Sequence, residues 1–174
     1  MTPVSAIRGI VAFTLMAVCL NIGAESGQPK GAFEMHEFLD FGALRRPGSP
    51  NHWLLAPTDA DASLHPDAAA PSFQLSAERL AKAWVGVVEQ APRTRIIGIS
   101  NDGLRVEAEQ RSAWFGFVDK VSFRAVTLGQ ESSTFFAYSR SQTGYWDFGV
   151  NRRRLSGWVE ALREIADSLQ PRNH

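Results

Sequence analysis

Apolar and polar positions alternate with two different periods along this chain, and the change of period marks its elements. From Ser76 to Gln90 ("SAERLAKAWVGVVEQ") the period is helical, with Leu80, Ala83, Trp84, Val87 and Val88 on one face. Ser76 is placed to cap this helix, Glu78 suits its positive end, Leu75 and Leu80 are spaced as a hydrophobic staple, and Pro92 closes it. The period then falls to two. Thr94–Ser100 predicts a strand, "NDG" (Asn101–Gly103) a turn, and Leu104–Ser112 a second strand with Leu104, Val106 and Ala108 inward and Arg105, Glu107 and Glu109 towards water. Ala113–Val126 predicts a third strand, its inward set running from Phe115 and Phe117 to Val121, Phe123 and Ala125. Val118 and Asp119 are expected to face out, and Gly116 to mark a bulge. Leu128–Ser132 turns the chain and Ser133–Ser141 predicts the fourth strand. A helical period returns over Asn151–Gln170, with Leu155, Trp158, Val159, Leu162, Ile165, Ala166 and Leu169 in one stripe and Pro171 as its stop.

Four strands with one apolar face need a cover, and two amphipathic helices supply it. The expected fold is therefore α+β: an antiparallel meander of about four strands covered by two helices, spanning residues 73–170 as a single domain. Before it, residues 25–72 show little periodicity and much Pro and Gly, which predicts an irregular N-terminal arm ("FEMHEFLDFGALRRPGSPNHWLLAP") lying on the domain, followed by an exposed loop ("TDADASLHPDAAAPS").

Residues 1–24 have the layout of a secretory signal peptide: Arg8 as the only charge, the apolar run "IVAFTLMAVCL", and Ile22 and Ala24 at acceptable positions for cleavage. The run is short for a span, which takes about 20 apolar residues, so the mature chain is expected to have no transmembrane helix. Periplasmic or secreted localisation follows from cleavage near Ala24. Anchoring by an uncleaved segment is the alternative, and acylation at Cys19 is disfavoured by Val18 before it.

With 174 residues, 44% hydrophobic and 21% charged, the chain suits one globular domain. Eighteen basic residues balance eighteen acidic ones, so no global field favours nucleic acid or an anionic membrane, and only a local patch could do so. Cys19 is the only cysteine, so a cleaved chain has neither disulfide nor thiol nucleophile. None of the four histidines (His36, His52, His65 and His174) pairs with another at ligand spacing, so no metal is expected. Gly-x-Gly phosphate patterns are missing, so no cofactor is expected either. Ser112, Ser139 and Ser141 lack a nucleophile elbow.

The stretch "GYWDFGVNRRRLSGW" (Gly144–Trp158) concentrates the remaining chemistry. Asn151 can cap the last helix, and Gly144 and Gly149 bracket a turn whose Tyr145, Trp146 and Phe148 either line a ligand groove or close the end of the core. At about 100° per residue, Arg153 projects away from the apolar stripe while Arg152 and Arg154 flank its edges. One reading pairs Arg152 or Arg154 with Asp147, Asp119 or Glu109 and pins the helix to the sheet. The other builds an anion site from Arg154, Arg111 or Arg140 with free backbone N–H groups.

Two blocks of sequence carry a family resemblance. "RSAWFGFVDKVSF" presents Arg111, Ser112, Phe115, Gly116, Phe117, Asp119, Val121 and Phe123; "SRSQTGYWDFGVNRRRL" presents Ser139, Ser141, Gly144, Asp147, Gly149, Asn151 and Arg154. Together with "RPGSPNHWL" (Arg46–Leu54) they resemble the bacterial and plastid family called domain of unknown function 1499, over roughly residues 40–165. Departures from the family pattern fall at Lys120, where an Asp is frequent, at Tyr138 and Gln142, where Arg is frequent, and at His52, where Cys is common. The resemblance implies a fold and a motif, not an activity.

The expectation is a non-enzymatic exported domain that binds a small or lipidic ligand or an envelope protein. The alternative is an enzyme acting on an anionic substrate, with Asp119 as acid or base and Arg111, Arg140 and Arg154 as clamps. A carrier calls for a cavity between sheet and last helix, an enzyme for a deep cleft containing Asp119 and two arginines, and a partner module for an exposed apolar patch, expected on Phe33–Leu55.

Overall fold

The computed structural model describes residues 37–113 and 116–170. Residues 1–24 with Cys19, where a signal peptide is expected, the first residues of the arm, Phe115 and Pro171 lie outside the described residues. Six strands and two helices follow in chain order: β1 (His52–Ala56), β2 (Ala68–Ala69), α1 (Ala77–Gln90), β3 (Thr94–Ile99), β4 (Arg105–Arg111), β5 (Val118–Gly129), β6 (Ser132–Ser141) and α2 (Val150–Ser168).

The meander β3–β4–β5–β6 forms as the period-two pattern predicts, and both helices form with Ser76 capping α1 through an N–H from Arg79. The sheet nevertheless has six strands, in the order β2-β1-β6-β5-β4-β3, and it is mixed: β1 is antiparallel to β6 but parallel to β2. The two added strands come from the segment expected to be irregular. β1 ("HWLLA") is covered on both faces, with Leu54, Leu55 and Ala56 all buried. A strand buried on both sides shows no polar–apolar alternation, so the pattern that revealed the meander could not reveal it.

Both helices pack on the face that carries Val106, Ala108, Val121, Phe123, Ala125, Phe135 and Ala137. Trp84 of α1 is the centre of this core. Its ring stacks on Phe123 at 4.5 Å, lies 5.9 Å from Phe135 and meets Trp158 of α2 edge-on at 5.5 Å. Aromatic side chains thus fill the space between sheet and helices.

The opposite face is not simply wet. Phe41 and Leu64 from the arm pack with Leu54 and Tyr138 in a second, smaller core, and Phe41 stacks on Phe136 at 5.1 Å. Glu107, expected to face water, is only 5% exposed beneath this arm. Its carboxylate accepts the Leu39 N–H at 3.0 Å and the Ser122 hydroxyl at 2.7 Å, so its burial is compensated by hydrogen bonds. The Tyr138 hydroxyl is buried there without a hydrogen-bond partner among the described residues, and burial pushes its pKa up. An unsatisfied buried hydroxyl costs about 1–3 kcal/mol. Tyr138→Phe should therefore leave stability unchanged or raise it by about 1 kcal/mol in urea unfolding; a clear loss would mean the hydroxyl has a partner.

The third strand begins later than its apolar residues suggest. The connection between β4 and β5 is closed by Ser112 N–H to the Phe117 carbonyl and by Phe117 N–H to the Ser112 hydroxyl. Gly116 has φ 66° there, and Phe117 is half exposed rather than inward. β5 starts at Val118, and Asp119 then shares a face with Val121 and Phe123 because residues two apart on a strand point the same way. Asp119 is consequently buried on the helix side, not outward.

Candidate functional site

The loop between β6 and α2 holds the aromatic residues Tyr145, Trp146 and Phe148. Its backbone bends through left-handed conformations at Gly144 (φ 88°), Phe148 (φ 51°) and Gly149 (φ 73°). The two glycines adopt this conformation freely, but Phe148 carries a Cβ and needs outside support. Asp147 supplies much of it. One carboxylate oxygen accepts the Gly149 N–H at 2.9 Å; the other accepts the Asn151 N–H at 2.9 Å and the Asn151 side-chain amide at 2.7 Å. Burial acts to raise the Asp147 pKa, but these hydrogen bonds outweigh it and hold the carboxyl below its ordinary value.

Asp147 therefore satisfies the first turn of α2, the task expected of Asn151. Gly149 is the N-cap residue and makes no side-chain capping bond. Asn151 sits inside the helix, fully buried, with its amide turned to the sheet. Its oxygen accepts from the Ser139 hydroxyl at 2.6 Å and from Arg154 at 2.8 Å. Its nitrogen reaches the Asn51 carbonyl at 2.8 Å, the Ser141 hydroxyl at 3.2 Å and Asp147. Asn51 in turn donates from its side chain to the Gly144 carbonyl.

Beneath this lies Arg154. Its guanidinium donates to Gln110 at 2.6 Å, to Ser139 at 2.7 Å, to Asn151 and to the buried Asp119 carboxylate. Arg154 and Asp119 are both buried and form a direct ion pair. The planar fork of Arg meets four side chains at once, which a Lys ammonium could not do in the same geometry.

The structure thus brings Asp119, Ser139, Ser141, Asp147, Asn151 and Arg154 together with Asn51 from the arm. It does not bring the other candidates to them. Arg111 is exposed at the end of β4, its carbonyl accepting from Arg93. Arg140 is exposed on the opposite face of β6. Arg152 is exposed and lies 5.2 Å over the Trp53 ring, a cation–π contact. Arg153 is also exposed, as helical geometry predicts, and donates to the Phe148 carbonyl at 2.8 Å. Glu109 is taken by Arg95 at 3.1 Å.

Above the polar anchor the aromatic residues do not close the core. Tyr145 is 59% exposed, Trp146 66% and Phe148 86%. Trp146 and Phe148 border an open groove of about 440 Å3 with Pro50, His52, Trp53 and Arg152. Trp53 is a participant that sequence reasoning passed over, because nothing local distinguishes it from a core residue of the arm. His52 faces Arg46, which donates to its Nδ1 at 3.0 Å; the ring then donates from Nε2 to the Pro47 carbonyl at 3.1 Å. Among the described residues no cluster of His, Cys, Asp and Glu could hold a metal ion, and no helix is long and apolar enough to cross a membrane.

An α+β domain with a buried Arg–Asp–Asn anchor under an exposed aromatic loop is the class of protein these features define. The chain belongs to the DUF1499 family, described as a protein of unknown function, whose model matches residues 45–162. Many of the residues carrying that resemblance are members of the anchor. No curated protein matches the chain. Among solved structures it is similar to a START superfamily protein from Mycobacterium smegmatis, with 13% identity, 58% of this chain and 96% of that chain covered, and a TM-score of 0.37. It is also similar to a protein of Thermus thermophilus, with 10% identity, 59% and 97% covered, and a TM-score of 0.34.

Proposed function

We propose that this is an exported, non-enzymatic binding domain that seats on an anionic lipid surface through the loop of residues 144–149. The observation that carries the reading is the exposure of Tyr145, Trp146 and Phe148 on a backbone pinned from below by Asp147, Asn151 and Asn51. Exposed aromatic side chains are costly unless something covers them, and pinning them outward spends folding energy on presenting them. Aromatic rings flanked by arginines are the composition favoured at a membrane interface, and Arg152 and Arg153 flank this loop without a carboxylate partner among the described residues. The signal-like segment 1–24 supports delivery to an envelope. The filled aromatic core between sheet and helices speaks for a surface rather than an internal carrier cavity. Asp119, held under Arg154 in a satisfied polar core, supports a structural role more than acid–base work.

The test is cosedimentation of a chain starting at Glu25, which retains every described residue, with phosphatidylglycerol or phosphatidylcholine vesicles. Wild type should bind the anionic vesicles preferentially. The Trp146→Ala/Phe148→Ala variant should bind on the order of 10- to 100-fold more weakly, since two interfacial aromatics are worth roughly 1.5–3 kcal/mol together when partly buried. Its Tm should stay near the wild-type value. Equal binding by the variant, or a wild type that ignores the vesicles, would overturn the reading and turn attention to a protein partner.

A further inference from the structure

We infer a second site, an anion-binding cleft on the sheet face opposite the helices, built on Lys120 and Arg140. Register partners there form one row across five strands: Arg95, Glu109, Lys120, Arg140 and His52. Glu109 is the only carboxylate in the row, and Arg95 occupies it. His52 accepts a hydrogen bond from Arg46 and brings no negative charge. Lys120 and Arg140 therefore stand directly opposite each other on neighbouring strands, and neither forms an ion pair with any described residue.

Like charges facing each other across a ladder destabilise a sheet, their Cβ atoms being about 5 Å apart. A bound anion converts that repulsion into a clamp. The pair opens on one side to a polar cleft of about 550 Å3, whose far wall is Ser49, Asn51, Gln142 and Gly144. The Asn51 side chain is committed to Ser49 and Gly144. The exposed Gln142 amide, just past the strand end, adds two donors. On its other side the pair borders a second cleft carrying Glu37, Asp40 and Glu107, where an anion would meet its own sign. The Asn51 side is therefore the anion site.

One ammonium and one guanidinium fork, with amide donors beside them, match a compact tetrahedral oxyanion: a phosphate, free or as a phosphoester. The phosphate belongs either to a soluble metabolite or to a lipid headgroup. The site does not depend on the aromatic loop, although Gly144 borders both.

The experiment is amide NMR titration of the chain starting at Glu25 with inorganic phosphate, then glycerol 3-phosphate, against chloride at matched ionic strength. Phosphatidylglycerol and phosphatidylcholine vesicles form a separate arm. Saturable shifts are expected at Lys120, Arg140, Gln142 and Gly144. Affinity should fall tenfold or more in Lys120→Gln and in Arg140→Gln, and stay unchanged in Arg124→Gln, a control on the same face. Because these side chains lie outside both cores, the variants should fold. Binding of the soluble phosphates alone would assign a metabolite; vesicle binding that needs Lys120 and Arg140 would assign a headgroup. Shifts that chloride reproduces, or that survive in the Lys120→Gln/Arg140→Gln double variant, would overturn the site. The Trp146→Ala/Phe148→Ala variant should keep its phosphate response, so the two readings fail separately.

Discussion

Arg154→Ala should lower the unfolding free energy by about 3–5 kcal/mol, because it leaves a buried carboxylate without its cation. For a chain of this size that is a fall in Tm of roughly 10 °C. The loss has two parts. Asp119 has its carboxylate oxygen against Arg154 and little exposure to water. Gln110, Ser139 and Asn151 each lose a donor as well. Arg154→Lys should recover only some of the loss, since one ammonium cannot span the four partners. Pairing Arg154→Met with Asp119→Leu should recover more than either single change predicts, because the uncompensated charge goes with its partner. Thermal and urea unfolding read wild type and these variants, the Arg154→Met and Asp119→Leu single changes included. A Tm for Arg154→Ala within about 2 °C of wild type would show that the ion pair does not hold the helix to the sheet.

The second large effect is expected at Asn151, and it tests the loop rather than the sheet. Asn151→Asp keeps the shape of the side chain but exchanges its donor for an acceptor. The new oxygen would face Asp147 and the Asn51 carbonyl at positions now 2.7 and 2.8 Å from a nitrogen. Two carboxylates in such contact cannot both ionise cheaply, so one is pushed to a higher pKa. At neutral pH the variant should lose on the order of 2–4 kcal/mol, the cost of a buried polar group or two left unsatisfied. The sign of the pH dependence follows from that raised pKa. The penalty is fully present above it and shrinks as pH falls towards the ordinary carboxyl range, where a proton restores a donor between the two groups. In wild type the Asp147 pKa is lowered instead, so its contribution persists above its ordinary value of 3.8 and fades only below it. Urea unfolding at about pH 7.5 and about pH 4.5 should therefore show a wide gap between the proteins that narrows in acid. The loop amides from Trp146 to Gly149 should exchange faster in the variant at the higher pH. A gap independent of pH would mean that the two side chains are not in contact.

Both predictions concern residues whose importance is visible in the sequence but whose roles are not. Arg154 and Asp119 are candidate partners there, yet the charge of Asp119 argues for an outward position. Its parity with Val121 and Phe123 argues the other way, and a buried guanidinium decides the contest. The loop that ends at Phe117 is closed by backbone and Ser112 bonds that no period reports, so the true start of the strand stays hidden. Asn151 reads as a cap from its type and place. Asp147 takes that role because Gly149 bends the chain back, in a left-handed conformation, until the carboxylate reaches two N–H groups of the turn. The aromatic residues of the loop read equally well as core or as surface. Only the anchor beneath them, joining Asn51 to Asn151 across 100 residues, turns them outward.

By itself, the sequence determined what local periodicity determines. It marked the two helices and their buried faces apart from Leu169, which lies exposed just past the end of α2, the meander whose outer residues alternate with a core, and the direction of Arg153 away from that core. Local order could do this because a helix or a half-buried strand repeats its burial every 3.6 or two residues. Tertiary structure alone decided the rest: the two strands recruited from the arm, the second core over the outer face, the convergence of three distant segments on Arg154, and the pairing of Lys120 with Arg140. These depend on register between strands far apart in the chain, where a shift of one residue exchanges every neighbour and every face.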